Sequence, residues 1–201
     1  MTSERTFRQQ EIVSAARKII TTKGIKSLTV REIADELNIT DGALYRHFSS
    51  KNEIISLLID DIEETLLAVI KEAAFKEDDP LQKLECVFLS HLSYVEQRKG
   101  TSFIVINEVL SIKDKGLQRK MFGLLNRYLK TVKVILGEGI RAGKFRQDLH
   151  LDSASIAFFG MIQSLVTLWG LSGYRLPLSK DRLSGMFMVY RNGIINGKPL
   201  K

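Results

Sequence analysis

The chain has 201 residues, of which 44% are hydrophobic and 26% charged, as in a globular protein of one or two domains. Lysine and arginine (30) outnumber aspartate and glutamate (23), and the net charge of +7 suits a polyanionic partner, although the basic residues are spread along the whole chain. The single cysteine, Cys86, excludes an internal disulfide, and the first residues lack a secretion signal, so we expect a cytoplasmic protein.

The periodicity of the chain predicts an all-α fold. Only three prolines interrupt it, and apolar residues recur at helical spacing almost throughout. We predict a first helix from about Thr6 to Lys23, with Ile12, Ala16 and Ile19 on its buried face. It ends at Gly24, because glycine is favoured just after a helix.

Residues 29–38 are predicted to form the first helix of a helix-turn-helix. Thr29 is placed to cap this helix, and Glu32 is spaced to complete a capping box. The turn that follows needs a residue with positive φ, and Asn38 tolerates that angle better than most side chains. The apolar face of the helix is Ile33, Ala34 and Leu37.

The second helix of this unit is short and presents a polar face. Thr40 caps it, while Leu44 and Phe48 form a thin apolar stripe that docks on the preceding helix. A helix this short buries little surface, so we expect its exposed face to carry function. That face consists of Asp41, Gly42, Ala43, Tyr45, Arg46 and His47.

A long helix follows and is predicted to contain the domain boundary. It runs from about Lys51 towards Phe75 and opens with a second capping box, Ser50 with Glu53. Lys51 lies at its N-terminal end, where backbone amides and an ammonium group favour a phosphate. We divide the chain within this helix, into domains of residues 1–55 and 56–201. Further helices are predicted over residues 80–97, 102–112, 117–142, 152–171 and 179–195.

These residues resemble the DNA-binding domain of the TetR family of bacterial transcriptional regulators. The resemblance spans about Phe7 to Leu58 and rests on Thr29-Val-Arg-Glu-Ile-Ala34, Gly42-Ala-Leu-Tyr-Arg-His-Phe48 and Ser50-Lys-Asn-Glu53. A second similarity lies in Glu138-Gly-Ile-Arg-Ala-Gly-Lys-Phe-Arg-Gln-Asp148, a type of segment that often joins two C-terminal helices in the family. The resemblance implies a three-helix helix-turn-helix DNA-binding domain followed by a helical ligand-binding and dimerisation domain.

The resemblance also implies roles for individual residues at a DNA operator. Tyr45 and His47 would bind phosphates, and Thr29 and Lys51 would clamp the backbone. Two alternatives remain: Asp41 could serve only the helix dipole, and Arg46 could touch phosphate instead of guanine. The residues nearest the base edges would be Thr40, Asp41, Gly42, Ala43 and Arg46.

In the family the last two long helices pair with those of a second subunit, so we expect a homodimer on a pseudo-palindromic operator. The most apolar stretch, residues 154–171, could also be a membrane span, but a helix buried on all sides explains the same composition. The predicted interface residues could instead fill the core of one protomer. They are Phe158, Met161, Ile162, Leu165 and Trp169 on one helix, and Leu183, Met186, Phe187 and Tyr190 on the other.

The family generally encloses a small-molecule effector within its C-terminal helices. A lining of aromatic and aliphatic residues with few polar groups would suit an apolar or aromatic effector. Helical periodicity does not separate such a lining from ordinary core residues. The candidates are Phe88, His91, Leu92, Phe103, Ile104, Asn107, Glu108, Phe122, Leu125 and Trp169.

Nothing in the sequence indicates an enzyme, a cofactor or a metal site. Cys86 and His91 are five residues apart, which is neither a metal-ligand spacing nor that of a nucleophile and its base. We therefore predict a ligand-responsive repressor released from its operator by a small molecule. The alternatives are an activator or a ligand-independent nucleoid-associated protein of the same fold, and a helical interaction protein without DNA binding.

Overall fold

The computed structural model describes residues 6–45 and 48–196. These residues form nine α-helices and, within the same ranges, no β-strand beyond an isolated bridge between Phe145 and Ile195, so the all-α prediction is confirmed. The predicted long helices begin and end within two residues of the observed bounds. The helices are α1 (Phe7–Lys23), α2 (Val30–Glu36), α3 (Asp41–Tyr45), α4 (Lys51–Phe75), α5 (Pro80–Gln97), α6 (Thr101–Ser111), α7 (Lys115–Arg141), α8 (Leu151–Leu171) and α9 (Lys180–Ile194).

The chain forms two compact units. Unit 1 contains Met1–Thr65 and Arg98–Leu124, and unit 2 contains Leu66–Gln97 and Leu125–Lys201. The functional boundary after residue 55 stays a prediction. The compact units divide the chain differently, because α6 and the first turns of α7 group with the N-terminal helices. Helices α4 and α7 each contribute residues to both units.

The helix-turn-helix in unit 1 has the predicted turn. Asn38 adopts φ 53°, the left-handed conformation that the reversal of direction requires. Thr29 caps α2 by accepting a hydrogen bond from the backbone N–H of Glu32 (3.1 Å). The reciprocal half of the predicted capping box is wrong, because the Glu32 carboxylate pairs with Lys23 at the end of α1.

The start of α4 shows a similar difference from the predicted cap. Ser50 does accept a hydrogen bond from the N–H of Glu53 (3.4 Å), as predicted. The Glu53 carboxylate, however, accepts from the backbone N–H (2.8 Å) and hydroxyl (2.6 Å) of Ser49. These bonds lower the pKa of Glu53, so its charge persists beside the positive end of the helix. Further along α4, buried Asp61 pairs with Arg17 and fixes α4 on α1.

In unit 2, aromatic side chains from α5, α8 and α9 form the core. Phe88 packs edge-on against Phe158 (centroids 6.3 Å apart) and stacks on Phe187 (5.8 Å), and all three are buried. Tyr190 completes the cluster against Phe158 (5.3 Å) and donates a hydrogen bond to the carbonyl of Ala154 (3.0 Å). These contacts hold the three helices together.

One face of α8 is buried and the other is exposed. By length and composition α8 could cross a membrane, with a mean hydropathy of 1.6 over its most apolar window. Its buried residues face α5 and α9, as in the core helix of a globular protein. Within one protomer α8 is not buried on all sides, because Leu168 and Leu171 are 56% and 81% exposed. The exposed face of α8 is therefore apolar, which is typical of a surface that contacts another molecule.

The segment between α7 and α8 depends on a glycine at a close approach. A Cβ on Gly139 would lie 2.0 Å from the ring of Phe145, which is completely buried. The N–H groups of Lys144 and Phe145 both donate to the Gly139 carbonyl (3.0 and 3.1 Å), after a left-handed turn at Gly143 (φ 69°). Gly139 is thus required because the buried ring of Phe145 packs directly against its Cα atom.

We expect Gly139→Ala to lower the free energy of unfolding by about 1–3 kcal/mol, because the added methyl group overpacks the Phe145 site. The matched control is Gly137→Ala on the same helix. Its Cβ would meet only the end of the flexible Arg141 side chain, at 3.4 Å. Urea denaturation of both variants checks this, and equal stability of the two variants would contradict it.

Candidate functional site

The short helix α3 projects polar and small residues from unit 1. Thr40 accepts a hydrogen bond from the N–H of Ala43 (3.3 Å), which fixes the first turn. Leu44 is buried and Phe48 is nearly so, and α3 packs against α2, so the predicted docking stripe is confirmed. The opposite side of the helix is thereby left for contact with another molecule.

The predicted DNA-binding residues that the structure describes are mostly exposed. Tyr45 is 53% exposed, and a Cβ on Gly42 would meet no atom within 4 Å among the described residues, so both positions are open to another molecule. Ala43 is half-buried. Two predicted residues, Arg46 and His47, lie outside the described residues. The exposed members are Thr29, Thr40, Asp41, Gly42 and Tyr45.

Lys51, predicted as a phosphate clamp, has two partners within the protein. Its ammonium group donates to the carbonyl of Ile25 (3.1 Å) and to the carboxylate of Glu108 on α6 (2.8 Å). An ammonium group has three N–H donors, so one remains for a phosphate. The partner Glu108 had been predicted to line an effector pocket. Glu108 and Lys51 are 57 residues apart in the sequence, so helical periodicity could not predict that they pair.

The predicted effector residues are divided between the two units. Unit 1 contains Phe103, Ile104, Asn107, Glu108 and Phe122, and unit 2 contains Phe88, His91, Leu92, Leu125 and Trp169. Those in unit 2 are buried except for half-buried Leu125, whereas Asn107 and Phe122 are exposed. Their role as one lining stays a prediction.

Buried His91 forms a neutral polar pair with Tyr128. The His91 Nδ1 atom lies 3.0 Å from the Tyr128 hydroxyl, and the ring of Phe159 flanks both side chains. Burial lowers the pKa of His91 to about 3 and raises the pKa of Tyr128, so both groups stay uncharged at neutral pH. The half-buried Cys86 contacts Glu77 (Sγ to Oε1, 3.9 Å), and burial together with Glu77 raises the thiol pKa. Among residues 6–45 and 48–196, the hydrogen-bond partner of His91 is Tyr128 and that of Cys86 is Glu77.

Unit 2 also contains an open groove that sequence reasoning missed. Its volume is about 460 Å³, and its walls come from the end of α4, the start of α5 and the middle of α7. Lys83 and Glu138 form an ion pair (2.7 Å) at the groove, while the exposed Lys71 has no ion pair within the described residues. The lining is Lys71, Ala74, Phe75, Lys83, Thr131, Val134, Ile135 and Glu138. Such a groove can take an apolar chain that carries a negative charge.

The predicted dimer residues mostly fill the core of one protomer. Phe158, Ile162, Leu165, Leu183 and Phe187 are buried, as is Trp169, so these positions are wrong as a free surface. Met161, Met186 and Tyr190 are half-buried. The error has a physical cause: α8 is apolar on both faces, so periodicity alone does not tell which face is inside. The exposed row on α8 is Ile156, Gly160, Ser164, Leu168 and Leu171.

A helix-turn-helix with an exposed polar second helix, on a cationic protein, defines a DNA-binding regulator. Residues 12–58 match the family model of bacterial regulatory proteins, tetR family, and residues 60–187 match the model of the YsiA-like protein C-terminal region. The chain therefore belongs to the TetR family of bacterial transcriptional regulators, and the predicted class of protein is confirmed.

Individual relatives are transcriptional regulators and DNA-associated proteins. The HTH-type transcriptional repressor KstR2 of Mycolicibacterium smegmatis is 30% identical over 75% of this chain and 73% of its own length. The nucleoid occlusion factor SlmA of Vibrio campbellii is 31% identical, over 71% and 74% respectively. The solved structure of FadR from Bacillus subtilis in complex with stearoyl-CoA has a TM-score of 0.81 at 24% identity, over 92% of this chain and 98% of that one. This last likeness shows the fold.

We expect Glu108→Gln to strengthen DNA binding by about threefold to tenfold, because it removes the negative charge that pairs with Lys51, the lysine predicted to contact backbone phosphates. The dependence of affinity on salt should also steepen, by up to about two units of slope for a dimer. Fluorescence anisotropy with a labelled duplex measures both. The control is Glu72→Gln, which removes the carboxylate of an exposed ion pair in unit 2. Weaker binding by Glu108→Gln would show that Glu108 instead positions Lys51.

Proposed function

We propose that the protein is a homodimeric repressor that binds a pseudo-palindromic operator in the cytoplasm and is released by an amphiphilic effector. The observation that carries this proposal is the exposed face of α3 on a helix-turn-helix whose family is established. Tyr45, Thr40 and Asp41 would meet DNA there, and Arg46 and His47 follow them in the sequence. Two such helices in a dimer would read half-sites about 34–36 Å apart.

We place the dimer interface on the exposed row of α8 and the neighbouring face of α9. On α8, Gly160 has open space above it, so a partner helix could approach closely between Ile156 and Leu168. On α9, Met188 and Val189 are 53% and 75% exposed. Apolar residues this exposed on two adjacent helices are stabilised when a second copy covers them. This surface replaces the buried residues that the sequence indicated.

We expect Leu168→Glu combined with Val189→Glu to yield monomers, because the interface would then bury four carboxylates, two from each protomer, without partners. Sedimentation velocity gives the mass, and circular dichroism shows whether the helices remain. Operator affinity should fall with the loss of the dimer. The control is Leu89→Glu, which places a charge on the exposed side of α5 (41% exposed). A folded double variant that is still dimeric would move the interface elsewhere.

We propose a long-chain acyl thioester of coenzyme A as the effector. One observation supports this class: a neighbour in fold was solved with stearoyl-CoA. The groove of unit 2 offers apolar walls from Phe75, Val134 and Ile135 and an ammonium group from Lys71. Binding there would release DNA only if the effector prefers a conformation in which the recognition helices no longer fit the operator.

We expect Val134→Glu to weaken the response to stearoyl-CoA about tenfold or more, because binding the acyl chain would remove water from the new carboxylate in the apolar wall. Val134 is 51% exposed, so the change should leave folding intact. Release of the labelled operator at increasing stearoyl-CoA measures the response, with Leu89→Glu again as the control. An unchanged response would place the effector outside this groove.

A second candidate function follows from the relatives named as nucleoid occlusion factors. In that case the chain would bind DNA without release by a small molecule. This alternative would be favoured over the repressor if acyl thioesters did not bind the protein and did not change its affinity for DNA.

A further inference from the structure

The turn between α6 and α7 carries more positive than negative charge. Lys113, Lys115 and Arg119 are all exposed, and none of them forms an ion pair within the described residues. They lie in unit 1, the same compact unit as the helix-turn-helix. Neither the family resemblance nor the sequence patterns assign a function to this turn.

The acidic residues around the turn already have other partners. Asp114 accepts hydrogen bonds from the backbone N–H groups of Leu117 (3.0 Å) and Gly116 (2.8 Å), and its second oxygen accepts from Asn52 (3.0 Å). These bonds, led by that from Leu117, and the positive charge of Arg119 lower the pKa of Asp114. Glu108 pairs with Lys51, and Asp60 pairs with Lys120 at 2.7 Å. The donors to Asp114 are neutral, so its carboxylate keeps its charge, and the three exposed cations together with this one carboxylate leave a net charge of +2 at the turn.

The turn is fixed beside the first turn of α4. The hydrogen bond between Asn52 and Asp114 joins the residue after Lys51 to the residue before α7. Further along, Lys120 on α7 reaches Ser56 (2.6 Å) and Asp60 on α4. Because the paired positions advance together along both helices, the two N-termini point the same way. Their positive dipole ends and the cations form one electropositive surface.

We propose that this surface, formed by Lys113, Lys115 and Arg119, binds DNA phosphates beyond those reached by the helix-turn-helix. The occupant is duplex DNA flanking the operator, because the charge is complementary and the surface continues from the α4 N-terminus. The proposal rests on the proposed DNA-binding function. It extends the footprint on the DNA backbone and adds affinity without adding base specificity.

The test is the salt dependence of binding to two duplexes taken from the DNA next to the gene of this protein. One ends at the outer edges of the two half-sites, and the other extends a further helical turn on each side. Each lost phosphate contact should lower the slope of log affinity against log salt by about 0.9. Combining Lys113→Ala, Lys115→Ala and Arg119→Ala removes three cations from each protomer, so it should lower the slope by about 5 for a dimer on the long duplex. The slope on the short duplex should stay unchanged.

The matched control removes three exposed cations from unit 2, with Lys130→Ala, Arg141→Ala and Arg175→Ala. If this control lost as much slope as the triple variant of the turn, the loss would depend only on net charge, and the proposal would be overturned. An unchanged slope in the triple variant of the turn would also overturn the proposal. If that variant instead lost binding to anionic phospholipid vesicles, the surface would bind a membrane and not DNA. Failure of the unaltered protein to bind either duplex would instead overturn the proposed DNA-binding function together with this extension of it.

Discussion

The ammonium group of Lys51 connects three elements of unit 1. It lies in the first turn of α4 and donates to the 3-10 helix Ile25–Ser27 through the Ile25 carbonyl, and to α6 through Glu108. The position of the helix that follows the recognition helix is therefore tied to α6. Since hydrogen bonds to charged groups contribute about 1.5–3 kcal/mol each, this contact is strong enough to couple α6 to DNA affinity.

The same contact explains how an effector could act through a small displacement. Helix α4 continues beyond unit 1 into unit 2, where its last residues line the groove. A ligand that shifts the equilibrium of α4 by about 1–3 kcal/mol would change operator affinity about 5- to 150-fold. DNA would alter effector affinity by the same factor, because coupling between two binding sites is reciprocal.

Patterns within a few residues of sequence predicted the local structure of the helix-turn-helix well. Contacts between residues far apart in the sequence were not predicted. Caps at Thr29 and Thr40, the positive φ of Asn38 and the stripe of Leu44 with Phe48 all follow from spacing within a few residues. The pair of Lys51 with Glu108 joins positions 57 residues apart, and no periodicity encodes it. On α8, the pattern revealed which residues share a face but not which of two apolar faces is buried.

The most direct test is binding of the purified protein to a labelled duplex from the DNA flanking its own gene, with excess non-specific DNA and increasing stearoyl-CoA. Our account predicts competitor-resistant binding with at least two protomers per site, and release by stearoyl-CoA but not by free coenzyme A. Binding abolished by the competitor would contradict a sequence-specific repressor at this site. Competitor-resistant binding that no acyl thioester changes would contradict release by this class of effector.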